Sequence, residues 1–142
     1  MTNSVYPLAT SSWGTEEVDA INEVVASGRY TMGEKVAKFE QEFADYFGSK
    51  HAVMVNSGST ANLLMIALLK WRHNLTRYEG ANIIVPAVGW STTYFPLTQN
   101  GFRVNFVDVD PETFNIDVNK IEEAINPSTV AIMPVNLCGN PS

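Results

Sequence analysis

The residues Asn56-Ser57-Gly58-Ser59-Thr60 are the first stretch whose types could do chemistry. The apolar run "HAVMV" (51–55) leads into them, and apolar residues return after them at helical spacing. A helix start offers unpaired N–H groups and a partial positive charge. Gly58 lets a ligand approach the backbone closely, and the hydroxyls add donors. Together these features suit a phosphate. The same residues also make an ordinary Ser cap with a turn glycine, and on this loop alone that reading is favoured. The pattern is neither a Walker A loop nor G-x-G-x-x-G.

A second loop, "PAVGWSTTYFP", sets Trp90 beside hydroxyl residues. A lone Trp is usually core, but its indole can also cover a flat ring. A phosphate cradle and an aromatic lid on neighbouring loops point to a phosphorylated heteroaromatic ligand. No other residue stands out as catalytic. Lys35, Lys38, Lys50, Lys70 and Lys120 fall on helices or in connections, His51 at the start of a run and His73 at the end of a helix. No metal-ligand set is read.

The elements that must position these loops follow from periodicity. Thr15 reads as the N-cap of an amphipathic helix carrying Val18, Ile21, Val24 and Val25, closed by Gly28. A second helix presents Val36, Phe39, Phe43 and Phe47 and ends at Gly48. Then come strand 51–55, helix 59–72, strand 82–86, a helix over 91–99 in which Pro96 predicts a kink or late start, and strand 103–109. Asp117 caps a helix over 118–125, and strand 129–135 is last. This alternation predicts an α/β fold, a three-layer αβα arrangement with a mainly parallel sheet and right-handed crossovers. Ligands bind such sheets at the carboxyl ends of strands, here the loops 56–59, 86–91 and 136–142. The last strand, from Val130, is expected to leave an exposed edge.

Composition narrows the class. The 142 residues suffice for one domain, 45% are hydrophobic, and the net charge is -6. An acidic chain with scattered Lys and Arg is not built for nucleic acid. No run is long enough for a membrane span, and the stretch "MTNSVYPLATSSWG" lacks the basic-then-apolar pattern expected of a secretory signal. A single cysteine, Cys138, excludes an internal disulfide framework. A cytoplasmic protein is the simplest expectation.

With these motifs in view, "FEQEFADYFGSKHAVMVNSGSTANLLMIALL", "IIVPAVGWSTTYFPLTQNGFRVNFVDVDPETFNID" and "AIMPVNLCGNP" resemble, in order and spacing, the N-terminal part of the DegT-type sugar aminotransferases. The resemblance implies a fold-type I transferase that uses pyridoxal 5'-phosphate (PLP), with the pyridoxamine form in its cycle. Within the family, "RYTMGEKVAKFEQEF" and "VPAVGWSTTYFPL" resemble the branch of 4-keto-6-deoxy-sugar 3-dehydratases of dideoxysugar and lipopolysaccharide O-antigen biosynthesis. Such enzymes take a nucleotide-linked keto-deoxy sugar and an amino donor such as glutamate. A plain sugar aminotransferase is the alternative within the family. A non-catalytic interaction partner and a generic phosphate-binding domain are the alternatives outside it.

Carried residue by residue, the resemblance implies that Gly58 and Ser59, assisted by Thr60, hold the phosphate and that Trp90 stacks on the pyridine. It places Tyr30, Met32 and Gly33 near the substrate or the partner subunit of a homodimer, and Asn136 near the cofactor. The family's ring-nitrogen Asp and its catalytic Lys or His are expected beyond Ser142, so no catalytic residue is assigned. Residues 1–14 are expected to form an arm, and 15–142 an incomplete PLP-binding large domain.

Overall fold

The computed structural model describes residues 10–75 and 80–142. Most of the expected arm therefore lies outside the described residues, and Thr10–Gly14 carry no regular structure. The chain divides between Met54 and Val55 into two compact units.

The first unit holds α1 (Thr15–Ser27) and α2 (Glu34–Phe47). Thr15, expected as the cap, is instead the first helical residue, and Gly14 is the N-cap. The Glu17 carboxylate fixes that register by accepting the Gly14 N–H at 2.7 Å, which also holds its pKa below the usual carboxylate value. Gly28 and Gly48 close the two helices in left-handed geometry (φ 66° and 65°), which glycine adopts without steric cost. Lys35 and Glu23 bridge the helices at 2.6 Å. On α2, Phe39, Phe43 and Phe47 form a row of tilted rings with centroids 5.6 and 4.6 Å apart. All three rings are exposed.

Residues 51–55 do not form the expected buried strand: they have no ladder partner among the described residues, and Val53 and Met54 are exposed. β-branched composition favours extended backbone, but a strand exists only where a neighbour takes its N–H and C=O groups. Here the Met54 N–H is taken by the Glu40 carboxylate at 2.8 Å.

The second unit is the αβα sandwich. Its sheet has the order β2-β1-β3, with β1 (Asn82–Pro86), β2 (Arg103–Val107) and β3 (Thr129–Ile132) all parallel. β1 is buried along its whole length because both its faces are covered. Ile83 and Val85 pack with Ile66 of α3 (Gly58–Arg72), Leu97 of α4 (Ser91–Gln99) and Phe102. Ile84 points the other way, into a cluster with Val107 and Ile116, flanked by Ile121 and Ala124. Asn82 ties the start of β1 to the turn before β3, its amide bonding Asn126 Oδ1 and accepting from the Thr129 hydroxyl, both at 3.0 Å.

Several boundaries differ from expectation. β2 ends at Val107, and Val109 forms an isolated antiparallel bridge with Ile116. The expected helix over 118–125 is a 3₁₀ turn, Val118–Lys120, capped by Asp117, followed by the single turn α5 (Ile121–Ala124). β3 stops at Ile132. Met133 adds one more bond to Ile84 O, and Pro134 then offers no N–H. Its outer edge is unpaired among the described residues, as expected. α4 runs through Pro96. The carbonyl that Pro96 cannot serve, Thr92 O, is approached by Asn62 Nδ2 at 3.5 Å.

Candidate functional site

The two loops singled out by residue type meet at one end of the second unit. Four residues separate the carboxyl end of β1 from the start of α4, so its N-terminus lies at that end of the sheet. α3 lies parallel to α4. Near their starts Asn62 reaches Thr92 O, and eight residues later on both helices Lys70 Nζ donates to Asn100 O. Both helix N-termini therefore share the carboxyl end of the sheet, and their partial positive charges add there. Between them runs an open cleft of about 210 Å³, lined by Ser59, Thr60 and Leu63 of α3 and by Thr92, Phe95, Pro96 and Gln99 of α4.

The donors at the start of α3 divide into two sets. Ser57 is the N-cap, its hydroxyl oxygen accepting the Thr60 N–H at 3.2 Å. The Thr60 hydroxyl donates to Asn56 Oδ1 at 2.6 Å, so both Thr60 donors are held inside the loop. The Gly58 and Ser59 N–H groups precede the first intrahelical donor, the Ala61 N–H, which bonds Ser57 O at 3.0 Å, and so have no acceptor within the helix. Among the described residues nothing outside its own helix turn lies within 4 Å of a Cβ built on Gly58, so the space over this backbone is open there. Ser57 thus caps α3, and the cap leaves the Gly58 and Ser59 N–H groups without a helix partner, a geometry compatible with an anion at this loop.

Trp90 is the N-cap residue of α4 and is 75% exposed, so it is not core. What fixes its loop was not visible in the sequence. The buried Pro86 carbonyl accepts the Tyr94 hydroxyl at 2.8 Å, and Tyr94 packs edge-on against Phe106 with centroids 5.4 Å apart. A Cβ on Gly89 would stand 2.1 Å from the Tyr94 oxygen, so any larger residue there must displace the Tyr94 hydroxyl. Burial raises the Tyr94 pKa, keeping the phenol a donor. Neither a Gly-Trp pair nor a Tyr four residues on carries a one-dimensional signal for this packing.

The other carboxyl-end loops are closed by their own side chains. Asp110 accepts the N–H groups of Thr113 (2.9 Å) and Glu112 (2.8 Å), which lowers its pKa. Asp108 is lowered by the Val109 N–H and by Lys120, 3.2 Å away. Asn136 turns its side-chain oxygen to the Ser142 N–H (3.0 Å) and hydroxyl (2.9 Å) and so closes the loop 136–142. Tyr30, Met32 and Gly33 belong to the first unit. Tyr30 and Met32 are exposed, Met32 has φ 42°, and Gly33 is the N-cap of α2. Among the lysines, Lys35, Lys38 and Lys120 lie in ion pairs and Lys70 caps α4.

The model of the DegT/DnrJ/EryC1/StrS aminotransferase family matches residues 11–142. The chain belongs to this family. Among relatives in the family, GDP-4-keto-6-deoxy-D-mannose 3-dehydratase of Yersinia pseudotuberculosis is 54% identical over 96% of this chain. The enzyme of the same name from Escherichia coli O55:H7 is 56% identical over the same share. The solved structure of the E. coli enzyme with bound hydrated PLP superimposes with a TM-score of 0.88 over 96% of this chain, at 56% identity. The chain spans about a third of the length of these relatives, 35% in each case. The fold expected from the sequence, an α/β sandwich of the fold-type I PLP enzymes, is the fold observed.

Proposed function

We propose that this chain supplies the phosphate-and-ring half of the cofactor site of a PLP-dependent 3-dehydratase acting on a GDP-linked 4-keto-6-deoxy sugar. The observation that carries the reading is identity of 54–56% to two enzymes of that name across 96% of the chain. The site's chemistry fits. The Gly58 and Ser59 N–H groups at the positive end of α3 suit the phosphate dianion, with the Ser59 hydroxyl as a further donor. Thr60 holds the loop in shape through Asn56. Trp90, exposed and anchored at the backbone, offers an aromatic face to the pyridine ring. PLP when bound supplies the electron sink for reaction at the sugar. The residues of this chain bind and orient it.

Glutamate is the amino donor that forms the pyridoxamine state, residues 15–142 contribute to the large PLP-binding domain, and the protein works as a cytoplasmic homodimer. Tyr30, Met32 and Gly33 line the substrate or subunit boundary, and Asn136 shapes the third carboxyl-end loop. No helix of the described residues is long and apolar enough to cross a membrane.

The test is incubation of the intact protein with PLP, glutamate and the GDP-linked 4-keto-6-deoxy sugar, followed by mass spectrometry. A product that has lost its 3-hydroxyl supports the dehydratase. A product carrying an amino group in place of the keto oxygen would move the protein to the aminotransferases.

A further inference from the structure

We infer that Tyr94 is a positioning residue that acts through Trp90. This deepens the reading above and rests on Trp90 as the aromatic face for the cofactor ring. Pro86 is the last residue of the central strand and is fully buried, so its carbonyl needs a donor from within the protein. Tyr94 supplies it at 2.8 Å from the second turn of α4. The loop between them passes so close over the phenol that a Cβ on Gly89 would have to displace the Tyr94 hydroxyl. The next residue is Trp90, whose carbonyl accepts the Thr93 N–H at 2.9 Å. Trp90 is thus held between a tyrosine-locked turn on one side and the first turn of α4 on the other. Its indole stays exposed on a fixed backbone instead of folding onto the apolar core. The Tyr94 ring is set by its edge-on contact with Phe106 of β2, so the lock is referenced to the sheet.

The test is a set of variants of the intact protein: Tyr94→Phe, Trp90→Ala, Gly89→Ala and their pairs. Tyr94→Phe keeps the ring and removes only the hydroxyl. The expected result is amide hydrogen exchange in segment 87–93 about tenfold faster without cofactor, the size of one lost buried hydrogen bond. PLP affinity should fall several-fold when Trp90 is present and stay unchanged by Tyr94→Phe when Trp90 is already Ala. Gly89→Ala should disturb exchange more than Tyr94→Phe, and adding Tyr94→Phe to it should recover part of the loss. Unchanged exchange in Tyr94→Phe, or an equal loss of PLP affinity with and without Trp90, would overturn the inference. Failure of the underlying reading shows elsewhere, as a Trp90→Ala protein that binds PLP as tightly as the parent.

Discussion

At the scale of single residues, the site separates donors that are free from donors that are already used. Thr60 donates its N–H to Ser57 and its hydroxyl to Asn56, whereas Gly58 and Ser59 have neither helix nor loop to serve. Ser59→Ala keeps the backbone N–H and removes the hydroxyl, and should weaken PLP binding by about 1–3 kcal/mol, the worth of a hydrogen bond to a charged group. Unchanged affinity in a fluorescence titration would remove the Ser59 hydroxyl from the phosphate site. A bulky replacement of Gly58 should leave thermal stability nearly intact, since among the described residues nothing outside its own helix turn lies within 4 Å of its Cβ position, yet block the phosphate. Equal losses of melting temperature and PLP affinity would point instead to a structural glycine. The small polar loop and Trp90 could be singled out as candidates because residue type alone marks them, and the structure leaves the Trp90 ring exposed. The Tyr94–Pro86 lock and the Gly89 contact were not, because they depend on where a helix turn falls against a strand end.

At the scale of elements, the central strand, α3 and α4 follow directly from apolar periodicity and from Gly101, which takes the left-handed geometry (φ 83°) that ends α4. The failures have a common cause. Residues 51–55 have strand composition but no ladder neighbour among the described residues, and a strand needs a partner that composition cannot name. Residues 118–125 have helical spacing, but the Asp117 cap starts a 3₁₀ turn and only one α turn follows. Caps make the sharpest prediction here. Ser57→Ala should destabilise the second unit by about 1 kcal/mol and loosen the start of α3, as amide exchange at 58–61 would report. Charge makes another. Glu17, Glu23, Asp108 and Asp110 all have pKa values lowered in the fold by N–H or lysine partners. Their stabilisation is complete above the ordinary carboxylate values, near 4, and is lost as pH falls through the lowered ones. Lys120, raised by Asp108 first and Asp117 second, keeps its contribution until pH rises past its ordinary value. Acid melts should show falling stability below about pH 4. Stability that rises on acidification would contradict these bonds.

At the scale of the molecule, apolar side chains remain uncovered. Leu64, Leu68 and Trp71 form a row on α3 that is 49%, 63% and 84% exposed, and the α2 phenylalanines add a second row. Exposed apolar surface of this kind is available to be covered by the rest of a fold or by another protein. The homodimer proposed above predicts a dimer by sedimentation velocity, and a monomer across the micromolar range would contradict it. The same end of the second unit gathers both helix N-termini, the cleft between them and Trp90. The most direct test of the account is a crystal structure of the intact protein soaked with PLP. The account places the cofactor phosphate within hydrogen-bond distance of the Gly58 and Ser59 N–H groups, with the Trp90 indole against the pyridine face. A phosphate bound elsewhere, or a Trp90 ring turned away from the cofactor, would contradict it.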